Sequence, residues 1–228
     1  KYEDGSSMVR TLNTTSGTVS ETTVDKDGNE TVKSGTAVID NTANTATFTS
    51  VVGDNTETVS IDYTTGKEIV TITNTSTSAL VSKTTMERDD SGNEVVSVEQ
   101  ADGSIVETIV SAQGKTQITE QTATGAVTVK EVNKLADGTT DTKTLGTGTV
   151  AEVNGQLVTT LILEDGSAFK ETKDTNGNVT GTEFTDAFGV KEIVAIDSSG
   201  NEVKSYQGQG GEVVDASGFQ GQVDIGFE

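Results

Sequence analysis

The chain of 228 residues has no cysteine, proline, histidine or tryptophan. Without Cys and His there is no Ser-His-Asp or Cys-His nucleophile, no thiol redox chemistry and no zinc site of the usual ligand type. Basic residues are scarce as well: 15 Lys plus Arg stand against 36 Asp plus Glu, a formal net charge of −21. So anionic a surface repels phosphates, and no local cluster of Lys or Arg makes an exception, so nucleic acid is not expected as a partner. No apolar run reaches the about 18 residues that a membrane-spanning helix needs, and membrane insertion is not expected. Lys1 to Arg10 has no charged-then-apolar leader, so any signal peptide is expected to have been removed or to lie outside this sequence. Apolar residues make up only 31%, against roughly 45–50% in ordinary globular domains, and a thick core is not expected.

What the chain does have is β-branched side chains: 41 Thr, 28 Val and 11 Ile. Their stiffness at χ1 favours extended backbone. Glycines at 92, 103, 114, 125, 138, 155, 166, 177, 189 and 200 recur at close to eleven-residue intervals, enough for one strand and one turn each. Asp102-Gly103, Asp137-Gly138, Asn154-Gly155, Asp165-Gly166 and Asn176-Gly177 read as reversals in which Asp or Asn tolerates positive φ and Gly adopts it freely. Asp89 to Asn93, Asp174 to Asn178 and Asp197 to Asn201 share the form Asp-x-x-Gly-Asn, which suits a type I turn closed by a left-handed Gly. Gly146 and Gly148 divide the one wide gap and suggest a further turn there. Between turns the pattern alternates, as in Ala126 to Val132, with period 2 rather than 3.6. Leu157 to Leu163 is apolar on both faces and is the best core candidate. Residues 78 to 90 fit one long strand better than a helical turn.

The expected fold is therefore all-β: a long antiparallel β-meander of short hairpin-linked strands forming an elongated sheet, a sandwich or a barrel-like closure. It would hold on the order of 15–17 strands over residues 20–206. Residues 1–19 are expected to be an N-terminal arm and residues 207–228 a Gly-rich C-terminal arm or strand.

The candidate chemistry is sparse. Asp25-Lys26-Asp27-Gly28-Asn29 sets oxygen ligands at alternate positions, as acidic loops do for calcium, although the EF-hand pattern fails at its sixth and twelfth positions. Asp89, Asp90, Asp174 and Asp197 occupy similar turns. Calcium on Asp25, Asp27, Asn29 and these four is thus the one cofactor the sequence suggests. Carboxylate pairs such as Glu164 with Asp165, or Glu107 with Glu120, are what glycoside hydrolysis requires, but the nine aromatics are too scattered for a sugar platform. Gly146 to Ala151 matches a dinucleotide fingerprint in letters only, without a following helix. In the tail, Val213 and Val214 precede Phe219, and Val223, Ile225 and Phe227 alternate as in a strand. These six are the candidate assembly residues, able to pair with a neighbouring copy or to fold back on their own sheet.

The acidic, Cys-free, Thr/Val/Gly/Asn-rich composition resembles that of bacterial or archaeal surface-layer proteins, extracellular filament subunits and giant adhesins. That resemblance implies a non-enzymatic structural protein at the cell surface, a filament or lattice subunit whose partner is itself. The alternatives are an adhesin stalk that meets a cell-surface partner and, more remotely, a polysaccharide-active β protein.

Overall fold

The computed structural model describes residues 5–13, 16–135, 138–196 and 200–215. Among these there are seventeen strands and no helix, as the β-branched composition requires. The chain divides into two compact units, Lys1–Gly103 and Ser104–Glu228, a boundary inside the segment expected to be one β domain.

The first unit holds β1 (Ser7–Asn13), β2 (Thr18–Val24), β3 (Glu30–Asp40), β4 (Thr45–Val52), β5 (Asn55–Asp62), β6 (Glu68–Asn74), β7 (Leu80–Arg88) and β8 (Glu94–Gln100). Each pairs antiparallel with its sequence neighbours. Part of the segment read as an N-terminal arm is therefore strand β1, in register with β2 from Ser7↔Val24 to Asn13↔Thr18. Residues 78–90 hold the strand expected there.

The second unit continues with β9 (Ile105–Val110), β10 (Thr116–Gln121), β11 (Ala126–Lys134), β12 (Thr140–Val153), β13 (Gln156–Leu163), β14 (Ala168–Lys173), β15 (Val179–Thr185), β16 (Lys191–Ile196) and β17 (Glu202–Gln207). It too is an antiparallel meander. Within each unit the extensive strand contacts run between sequence neighbours only, so each meander is a single sheet layer. The consequence shows in β6, where all seven residues are half-buried, so neither face is dry.

Two loop types recur most often, beside two-residue hairpins at 53–54 and 154–155. At 25–29, 89–93, 111–115, 122–126, 163–167, 174–178 and 186–190, the first residue's N–H donates to the fifth residue's carbonyl and the fourth residue, Gly, donates back to the first. This is a type I turn closed by a left-handed Gly. In the first unit a longer loop recurs at 40–45, 62–67 and 74–79, with Asn44, Gly66 and Ser78 in the left-handed region, as Gly17 is just before β2. The Asp-Gly and Asn-Gly pairs are not alike. Asn154 has φ 54° and Gly155 φ 79°, closing the two-residue hairpin between Val153 and Gln156. Asp102, Asp165 and Asn176 keep ordinary φ, because their loops are longer and only the Gly must turn left-handed.

Gly146 and Gly148 make no turn. They lie inside β12, which runs unbroken for 14 residues. A Cβ on Gly148 would collide with the Thr160 carbonyl, and one on Gly146 would sit 2.7 Å from Leu163 Cδ2. Their bare backbone lets β11 and β13 side chains close over β12. Val127↔Gly148↔Leu161↔Phe169↔Phe184 form one row across five strands, and Val129↔Gly146↔Leu163 the next. Val127, Val129, Leu161, Leu163 and Phe169 are the core, with Leu145, Val150 and Phe184 packed against it. Leu157 to Leu163 is thus a core strand on one face only: Leu161 is 0% exposed, whereas Ile162 is 61% exposed.

The same device recurs in the first unit. Buried Val19 faces Gly35 on β3, and a Cβ on Gly35 would strike the Thr49 carbonyl. The Gly17 carbonyl accepts from Ala37 N at 2.7 Å, as the Gly125 carbonyl does from Val150 N at 2.7 Å. On the opposite face Thr18, Thr36, Thr49, Thr58 and Thr71 fall in one row across β2 to β6, a rank of good strand formers in which Thr18 and Thr36 are exposed and the other three half-buried.

Candidate functional site

The acidic turns are built as closed hydrogen-bond loops. Asp25 Oδ1 accepts from the backbone N–H of Asp27 at 2.9 Å and of Asn29 at 2.8 Å, while Asn29 Nδ2 donates to Asp25 Oδ2 at 2.7 Å. Asp89 is held the same way by Asn93, and Asp174 by Asn176 and Asn178. This is why the turns read Asp-x-x-Gly-Asn: the Asn backbone and side-chain N–H groups engage both carboxylate oxygens. The Asn bonds are the main reason the Asp25, Asp89 and Asp174 carboxyls sit below their ordinary range.

These bonds bear on the cation reading. Asp25 and Asp27 share a loop, but Asp27 pairs with Lys26 at 2.9 Å and Asn29 turns its nitrogen, not its oxygen, toward Asp25. Asp90 is exposed beside Asp89. Asp197 lies outside the described residues. Among the described residues, no three carboxylates, His or Cys gather where they could hold a metal ion. Nor does the register unite the carboxylate pairs: Glu107 faces Thr119 and Glu120 faces Val106, which puts the two glutamates on opposite sides of the sheet. Asp165 is taken by the backbone N–H and hydroxyl of Ser167.

The first unit also has a charged cluster that one sequence cannot reveal, because it depends on register. Arg10 lies opposite Glu21, which lies opposite Lys33. Arg10 Nη2 meets Glu21 Oε2 at 2.6 Å, and Lys33 Nζ reaches past β4 to Glu57 Oε2 at 3.1 Å. The guanidinium stands 5.0 Å from the centre of the Phe48 ring, within cation–π range. Together with Val19, Gly35 and Val59 these groups line a small hollow of about 20 Å³. Its charges alternate and neutralise one another, so it stands as a structural brace.

Comparison with protein-family models and with curated proteins finds no match.

The remaining candidates concern strand edges. Within the first unit β1 pairs with β2 alone, and it carries Val9 at 59% and Met8 at 42% exposure. At the other end, Gly208 to Glu212 repeats the five-residue loop of the rest of the chain: Gly208 N donates to the Glu212 carbonyl and Gly211 N to the Gly208 carbonyl. Val213 then bridges Gln207, and Val214 N donates to the Tyr206 carbonyl at 3.2 Å. The start of the tail thus lies along β17 of its own chain. Val213 is 86% exposed. Phe219, Val223, Ile225 and Phe227 lie outside the described residues. Among the described residues no helix is long and apolar enough to cross a membrane.

Proposed function

We propose that this is a non-enzymatic structural protein of the cell exterior, a subunit that joins further copies of itself into a filament or lattice through β-strand edges. The observation that carries this reading is β1: within its unit it is a strand bonded on one side, bearing exposed Val9 and Met8, and such an edge is a template for another strand. The tail supports it as the complementary element. Val213 and Val214 lie along β17 of their own chain, and beyond them the sequence alternation of Val223, Ile225 and Phe227 is that of a further strand, which is proposed to pair with the β1 edge of a neighbouring copy. The net charge of −21 opposes association, so calcium is proposed to act by relieving repulsion between copies rather than as a ligand built into one turn.

Electron microscopy of the full chain, with calcium and with a chelator, tests the reading. Two variants accompany it. Val9→Lys places a charge on the β1 edge at an exposed position, and a chain ending at Asp215 keeps the Gln207–Val213 bridge but lacks Phe219 to Phe227. The expected result is fibres or sheets from the full chain, promoted by calcium and lost in both variants. Separate particles under every condition would overturn self-assembly and favour the adhesin-stalk reading.

A further inference from the structure

The chain has two Asn-Gly pairs, Asn154-Gly155 and Asn176-Gly177, and the fold treats them oppositely. We propose that Asn154 is a site of spontaneous deamidation and isoaspartate formation, and that the loop around Asn176 protects an otherwise equivalent pair. In this reaction the backbone nitrogen of the glycine loses its proton and attacks the Asn Cγ. The side-chain amide nitrogen leaves as ammonia and a five-membered succinimide closes. Water then opens the ring at either carbonyl, giving aspartate or an isoaspartate joined through the side-chain carbon. No oxidant or reductant takes part.

Both pairs are exposed, so access does not separate them. Hydrogen bonding does. Gly177 N, the attacking atom, donates to the Asp174 carbonyl at 3.0 Å. Asn176 N donates to Asp174 Oδ1 at 2.8 Å, and Asn178 holds the same carboxylate through its backbone and side-chain N–H groups. Closing the ring there requires breaking this clamp. At the other pair, neither Asn154 nor Gly155 makes a hydrogen bond among the described residues, because a two-residue loop is closed by the flanking Val153↔Gln156 pair. The Gly155 nitrogen is free to swing toward Cγ without loss of a bond. Conversion to isoaspartate adds a backbone carbon to the loop that fixes the register of β12 on β13, the strands that carry Gly146, Gly148, Leu161 and Leu163.

The test is incubation of the full chain at mildly alkaline pH, followed by tryptic digestion and mass spectrometry. Cleavage after Lys143, Lys170, Lys173 and Lys191 puts Asn154 and Asn176 in different peptides. Asn154 is expected to convert roughly tenfold faster than Asn176, the factor that one net hydrogen bond makes in a rate. Gly155→Ala is expected to slow conversion at Asn154. Asp174→Ala, which removes the carboxylate bonds to Asn176 and Asn178 but keeps the backbone carbonyl that Gly177 N donates to, is expected to raise the rate at Asn176 part of the way toward that of Asn154. Equal rates in the unaltered chain, or faster conversion at Asn176, would overturn the proposal, as would a rate at Asn176 that ignores the loss of Asp174.

Discussion

At the scale of single residues, the turns show how much of this fold is local chemistry. The Asp-x-x-Gly-Asn form was legible as a turn because Gly must adopt positive φ at its fourth position, and Gly92 and Gly177 do so. That the Asp carboxylate is the acceptor for its own Asn was not legible, since the same letters also describe a calcium loop. The bond has a consequence for acid stability. The folded-state carboxyls of Asp25, Asp89 and Asp174 titrate below their ordinary value, so their contribution is full above the ordinary carboxylate pKa and is lost as pH falls through the folded one. Thermal unfolding followed by circular dichroism should therefore show a midpoint that drops on acidification below that value. Asn93→Ala should flatten the dependence, and an unchanged profile in that variant would contradict the clamp. Ser78, at φ 59°, is a non-glycine residue in the left-handed region. Ser78→Gly is expected to stabilise the chain by about 1 kcal/mol, the cost that a Cβ incurs there, as measured by urea denaturation.

At the scale of elements, period-2 alternation and the eleven-residue beat located most strands, but not their depth. Leu157 to Leu163 is apolar on both faces, yet only one face finds a partner, because β12 opposite it supplies glycines on that side alone. The sequence pattern could not distinguish Gly146 and Gly148 from turn glycines: the difference lies in the Thr160 and Ile162 carbonyls of the next strand, which only the register brings close. β1 escaped notice for a related reason. Between Met8 and Leu12 its inward face carries Arg10, which pairs with Glu21, and a charged side chain in so short an apolar alternation reads as loop or arm. The one-sided core makes a sharp prediction: Leu161→Ala should cost about 3 kcal/mol, while Ile162→Ala, one position along on the exposed face, should change stability by less than about 1 kcal/mol. Comparable losses from both would contradict a single-layer sheet at β13.

At the scale of the whole molecule, charge and edges decide behaviour. Among the described residues, Arg10, Lys26, Lys33, Lys67, Arg88, Lys115, Lys130, Lys143, Lys173, Lys191 and Lys204 are in ion pairs, most of them across adjacent strands. Positive charge thus serves the sheet, while carboxylates outnumber basic groups 36 to 15 in the sequence. The proposed self-association joins an expectation from sequence, the alternating tail beyond Asp215, which lies outside the described residues, to the one-sided bonding of β1 within its unit, which depends on the register. Residue-resolved amide hydrogen exchange of the full chain across a concentration series is the most direct test. If copies join through the β1 edge, amides within Ser7–Asn13 gain protection as the protein assembles, and Val9→Lys abolishes the gain. If those amides exchange at the same rate in dilute and concentrated protein, β1 is not the joining edge and the structural-subunit account fails.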